Sequence, residues 1–158
     1  KRSISARFKP TSRPGSTSFY RSPHLYLFRY NTRMAAREKP LIWIGSSKKD
    51  LMALPISVRK FFGHALDFAQ RGDRHDAAKA LKGFGGTGVL EVVEDDAGGT
   101  YRAVYTVKFE EAVFVLHCFQ KKSKSGIATP KEDMAVVRAR LKAAEAVAME
   151  MRDGKALR

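Results

Sequence analysis

From Lys39 onward, apolar runs and turn signals follow one another in an order that predicts a definite set of elements. Leu41-Ile42-Trp43-Ile44 is closed by Gly45 and the capping candidates Ser46 and Ser47, which predicts a strand followed by a helix. Leu51, Leu54, Val58, Phe61, Phe62, Ala65, Phe68 and Ala69 then recur at spacings of three and four, the period of a helix with one buried stripe. Pro55 is tolerated best in a first helical turn, so it should divide this region into a short helix near 47–53 and a longer one near 55–70 that ends at Gly72. A loop rich in charge and glycine follows. Three β-type runs come next, Gly88 to Glu94, Thr100 to Lys108 and Ala112 to Gln120, punctuated by Asp95-Asp96-Ala97-Gly98-Gly99 and by Glu110-Glu111. An antiparallel meander is the simplest arrangement of such runs. From Pro130 to about Met151, a narrow stripe of Met134, Val137, Leu141, Ala144, Ala148 and Met151 predicts a helix docked on the sheet. It lasts only about three heptads, short for a coiled coil. The expected class is α+β: a small antiparallel sheet of about four strands packed against two N-terminal helices and a C-terminal helix, in one layer pair.

Composition adds a boundary. The 158 residues suffice for one domain with a real core, and residues 38–152 carry all the periodic segments, leaving 153–158 as a tail. Residues 1–37 hold nine Lys or Arg and no Asp or Glu, with Pro10, Pro14, Gly15 and Pro23 interrupting any period, and read as a disordered basic extension. Three readings of this arm stay open: an organellar transit peptide, a nucleic-acid-binding arm, or an over-extended start with Met34 as the initiator, which is the preferred one. Without the arm, the net charge of +14 falls to 21 basic against 16 acidic residues, a moderately basic domain compatible with a polyanionic partner. No apolar run approaches the length of about 18 residues needed to cross a bilayer, so a cytoplasmic protein without membrane contact is expected. The single cysteine, Cys118, lies in an apolar run and suits a buried small hydrophobe better than a nucleophile.

Candidate chemistry is cationic. Lys82-Gly83-Phe84-Gly85-Gly86-Thr87-Gly88 invites a phosphate-loop reading, but Val89 begins a strand where that motif needs Lys-Ser/Thr and a helix. The four histidines, His24, His64, His75 and His117, show no zinc-ligand spacing, so neither metal nor cofactor is expected. Strand alternation puts Arg102, Val104 and Thr106 on one face, and Val113, Val115, His117, Phe119 and Lys121 together on one face of the next run. The polar end of that run, with His117, Lys121 and Lys122, is the best candidate site. Each residue also has a structural reading. Arg102 can pair across strands with Glu91 or Glu94, His117 can be a hydrogen-bonded core residue, and Lys121, Lys122 and Lys124 can be a solvated strand end.

Lys39 to Leu51, Leu81-Lys82-Gly83-Phe84-Gly85-Gly86, Val89-Leu90-Glu91-Val92, Tyr101-Arg102-Ala103-Val104-Tyr105, Leu116 to Lys124 and Thr129-Pro130 together resemble the phage-derived HigB-like branch of the RelE/ParE toxins, in order, over roughly residues 39–150. The resemblance implies a toxin-antitoxin system toxin, an endoribonuclease that cuts mRNA on the ribosome without metal, the ribose 2′-hydroxyl serving as nucleophile. By that analogy Arg102 holds the scissile phosphate, Lys121 and Lys122 contact phosphate or ribosomal RNA, Lys82 and Lys124 add substrate contacts, and His117 transfers a proton. The implied partner is a small helix-turn-helix antitoxin. A ParE-like poison of DNA gyrase and a non-catalytic RNA-binding module are the alternatives on the same scaffold. Deleting residues 1–33 should leave the thermal midpoint unchanged in a calorimetric scan; a clear drop would mean that the arm packs on the domain.

Overall fold

The computed structural model describes residues 38–86, 88–121 and 129–156, the side chains of 155 and 156 excepted. The chain divides into two units, Lys1–Ala35 and Ala36–Arg158, and the described residues all belong to the second. The expectations for residues 1–37 and for Lys122 and Lys124 lie outside the described residues.

The predicted helices and strands form, close to their expected bounds. Strand β1 (Leu41–Trp43) leads through Gly45, whose φ of +59° suits glycine, into α1 (Ser47–Met52). Pro55 stands at the N-cap of α2 (Ile56–Gln70), so the ring that would break a helix interior here separates two helices. After β2 (Ala78–Ala80), strands β3 (Val89–Asp96), β4 (Gly99–Thr106) and β5 (Val113–Gln120) make the meander, and α3 (Lys131–Ala156) closes the fold. Asp96 pairs with Gly99 across a tight turn, as the Asp-Gly-rich segment suggests.

Two features of the sheet correct the expectation. It has five strands, in the order β1-β5-β4-β3-β2, and it is mixed: β1 runs parallel to β5 while every other pair is antiparallel. β2 was hidden because Ala78-Lys79-Ala80 has no β-branched or aromatic residue and sits in what reads as loop. β1 joins β5 because that strand is buried along nearly its whole length and needs a hydrogen-bonding neighbour on both sides.

The fold also has three layers, not two. Val58, Phe62, Ala65, Leu66 and Ala69 of α2 pack with Leu90, Val92, Tyr101, Ala103, Tyr105, Val113, Val115 and Cys118 on one face of the sheet. On the other face, Val137, Ala144 and Ala148 of α3 pack with Val89, Val104, Phe114, Leu116 and Phe119. β4 and β5 are apolar on both sides, so both faces must be covered. The stripe read from the C-terminal sequence is thus the docked side of α3. This helix extends through Ala156, and Arg152 fastens its far end by donating from Nε to the buried Glu111 carboxylate at 2.9 Å.

Burial pushes the Cys118 thiol up to about 12, Asp50 adding to the rise and Arg140 opposing it. Burial likewise pushes the Tyr105 hydroxyl up to about 12, against the pull of Arg74. Unfolded, these groups titrate at their ordinary values of 9.0 and 10.0, so above that range the unfolded chain binds fewer protons than the folded one. Stability is therefore expected to fall as pH rises from about 9 towards 12. Urea melts at rising pH should show the native chain losing stability faster than Cys118→Ala, and parallel losses would show that the thiol is not shielded.

Candidate functional site

A β-bulge decides which side chains share the site. Ala103 pairs with Cys118 and Val104 with His117, but the next residue, Tyr105, pairs with Val115, so Leu116 has no register partner on β4. Simple alternation would keep His117 on the face of Val113 and Val115. With the extra residue, Val113, Val115 and Cys118 line the α2 face, whereas Phe114, Leu116 and Phe119 line the α3 face, and His117 meets α3 side chains. The expected grouping of His117 with Val113 and Val115 is corrected accordingly. Arg102 lies on the same α3 face, opposite Phe119 in register, which makes Arg102 and His117 diagonal neighbours across β4 and β5.

The bulge is held from outside the ladder. β1 ends at Trp43, opposite Val115, so beyond that point β5 has no strand on this side. Arg140 of α3 fills the place: Nη1 donates to the Leu116 carbonyl at 2.8 Å and contacts His117 Nδ1 at 3.3 Å, while Nη2 donates to Ser46 Oγ at 2.7 Å. Ser46 donates in turn to Asp50 Oδ2 at 2.7 Å, and that carboxylate lies 3.6 Å from Arg140 Nη1. A Cβ on Gly45 would stand only 3.1 Å from Arg140 Nε, so this glycine serves the guanidinium as well as the turn.

An arginine N–H only donates, so in a neutral ring this contact takes Nδ1 as acceptor and leaves the proton on Nε2, which faces Asp133 Oδ1 at 3.0 Å, while Asp50 Oδ2 lies 4.0 Å from Nδ1. The ring is 13% exposed and stacks on Phe119 with centroids 4.7 Å apart. Beside it, Arg102 is 4% exposed and donates from Nη1 to Glu91 Oε2 at 2.5 Å and to Thr129 Oγ1 at 3.2 Å. The cross-strand partner considered from sequence is therefore Glu91, and the guanidinium is engaged. Removing one member of such a buried pair leaves the other charge uncompensated.

The remaining candidates are less tightly drawn in. Lys121 stands one residue past β5, its N–H continuing the ladder to the Thr100 carbonyl at 2.8 Å. Lys82 is exposed in the turn after β2, next to Gly83, and a Cβ on Gly83 would meet Met134 and Arg138 of α3. The structure thus brings Arg102 and His117 together around Phe119 and places Lys82 near the same helix. The cluster is not purely cationic: Glu91 pairs with Arg102, Asp50 lies beside Arg140, and Asp133 faces the His117 ring. Sequence reading missed Asp50, Ser46, Asp133 and Arg140. One signal was available, since Asp133 and Arg140 are seven residues apart and so lie on one side of α3, bordering its apolar stripe. Among the described residues, no three His, Cys, Asp or Glu side chains are grouped as metal ligands, and no helix is long and apolar enough to cross a membrane.

A mixed sheet between helices, with a polar cluster where a bulged strand meets the last helix, makes this a small α+β protein with its candidate site on one face. Residues 49–142 match the sequence profile of the phage-derived Gp49-like proteins, and the chain belongs to that family. The family is related to the RelE-type toxins of toxin-antitoxin systems, so the resemblance holds at that level. The matched span contains Asp50, Lys82, Glu91, Arg102, His117, Lys121, Asp133 and Arg140. Comparison with curated proteins and with solved structures gave no significant match.

Arg140→Met keeps much of the side chain's volume but removes the donor to the Leu116 carbonyl. A buried acceptor left without its partner costs about 1–3 kcal/mol. Urea unfolding at neutral pH should show a loss of that order, and an unchanged midpoint would show that the bulge does not depend on this arginine.

Proposed function

We propose that the protein is a toxin of the HigB-like branch that cuts mRNA on the ribosome, using the ribose 2′-hydroxyl as nucleophile. The observation that supports this reading best is that Arg102, opposite Phe119 in register, and His117, stacked on Phe119, lie on one face of a basic domain. In the proposed reaction the 2′-oxygen forms a bond to the adjacent phosphorus as the bond to the 5′-oxygen breaks, giving a 2′,3′-cyclic phosphate and a 5′-hydroxyl. The nucleophile comes with the substrate, so the protein has to move protons and offset the charge gathering on phosphate. His117 is the proposed proton-transfer group, with Asp133 in place to stabilise a charged ring. For that role substrate must displace Arg140 from Nδ1. Arg102 is assigned to the scissile phosphate, which it reaches by exchanging Glu91 for a phosphate oxygen, a planar fork being suited to either partner. Lys82, Lys121, Lys122 and Lys124 are the proposed outer phosphate and ribosomal RNA contacts.

The proposed partner is a helix-turn-helix antitoxin encoded nearby, whose acidic or apolar surface would cover the basic rim. One observation favours a second reading, a non-catalytic RNA-binding module: the Arg102 guanidinium is already committed to Glu91.

Purified chain added to ribosomes carrying a labelled message should produce cut transcripts with 5′-hydroxyl ends. Arg102→Ala combined with Lys122→Ala should reduce cutting at least about a hundredfold, since one lost electrostatic donor alone is worth that order, with the thermal midpoint checked in parallel. Binding without cutting would support the passive module, and intact transcripts with a supercoiling defect in growing cells would support the gyrase poison.

A further inference from the structure

One cation on α3 is placed unlike the others. Arg138 is exposed, and no carboxylate pairs with it among the described residues; its guanidinium lies over the Phe84 ring, 5.6 Å from the centroid. Phe84 is half-buried against the α3-side core, so the ring is fixed rather than free. The loop brings it there through Gly83, whose φ of +91° strains any residue with a side chain. Lys82 is exposed directly before this glycine, and Lys142, one turn further along α3, is exposed as well. The neighbouring acid on that side, Glu145, already faces Lys108 at 3.8 Å.

We propose that Arg138, backed by Phe84, is a stacking site for an unpaired base of single-stranded RNA, with Lys82 and Lys142 on the flanking phosphates. A guanidinium is planar, weakly hydrated and charged, and a base stacks on it as on an aromatic ring. The Phe84 ring holds one side of that plane and limits its rotamers, so less entropy is lost when a base covers the exposed side. Arg138 therefore contacts RNA, and Phe84 is its positioning residue. The choice of RNA over other polyanions rests on the function proposed above; the geometry does not.

The test uses the full chain and a fluorescein-labelled oligouridylate of about 12 nucleotides, within the span of one such surface. Arg138→Lys keeps the charge but not the plane, so it should weaken binding about tenfold, the worth of one stacked base, with an unchanged salt slope. Arg138→Gln should weaken binding at least as much, whereas Lys142→Gln should lower the salt slope by about 0.7, the share of one phosphate contact on a single strand. Phe84→Leu keeps apolar packing and should give an intermediate loss, whereas Phe84→Tyr should bind as the native chain does. Equal affinity of Arg138→Lys and native chain would overturn the proposal, as would an identical loss on duplex RNA, where no base is free to stack. If Arg138→Lys loses affinity yet the native chain cuts no message, the stacking site stands and the nuclease reading falls. If messages are cut while Arg138→Lys binds normally, the reverse holds.

Discussion

The site depends on one irregularity, the extra residue Leu116 in β5, and on the side chain that makes it tenable. A bulge leaves backbone groups outside the ladder, and a buried carbonyl without a donor is costly. Arg140 supplies the donor, and the same guanidinium reaches His117, Ser46 and the neighbourhood of Asp50, tying α3 to the β1–α1 turn across the end of the sheet. Were alternation unbroken through Leu116, His117 would share the α2 face with Val113 and Val115. With the extra residue, His117 joins Arg102 on the α3 face.

Electrostatics on that face are balanced within the fold. Glu91 faces Arg102, and Asp50 and Asp133 face Arg140 and His117, so the buried groups meet desolvation with partners at hand. The exposed lysines and Arg138 lie outside this balance. On the function proposed above, the outer cations would meet the RNA first, and the inner pairs would exchange partners as it binds.

Most of the fold was legible because periodicity reports burial. Phe62 and Val58 recur at helical spacing and prove to be fully buried, and Val137, Ala144 and Ala148 mark the side of α3 that docks. β2 was illegible because three residues of Ala-Lys-Ala carry no such signal, and the parallel place of β1 depends on a partner more than sixty residues away. Arg102 was assigned to the correct side of β4, as strict alternation holds there. His117 was not, because one inserted residue reverses the parity of everything after it and leaves no mark in the local pattern. Asp50, Asp133 and Arg140 were missed because charged residues at helix edges look like ordinary solvated positions until the fold brings three elements to one corner.

The clamp on the bulge predicts a particular proton arrangement, and that can be read directly. Long-range nitrogen–proton NMR correlations of the folded chain at neutral pH should show His117 protonated at Nε2, with Nδ1 as the acceptor, a pattern lost in Arg140→Met. A ring carrying its proton on Nδ1 would contradict the account, because Arg140 could not then hold the histidine and the bulge at once.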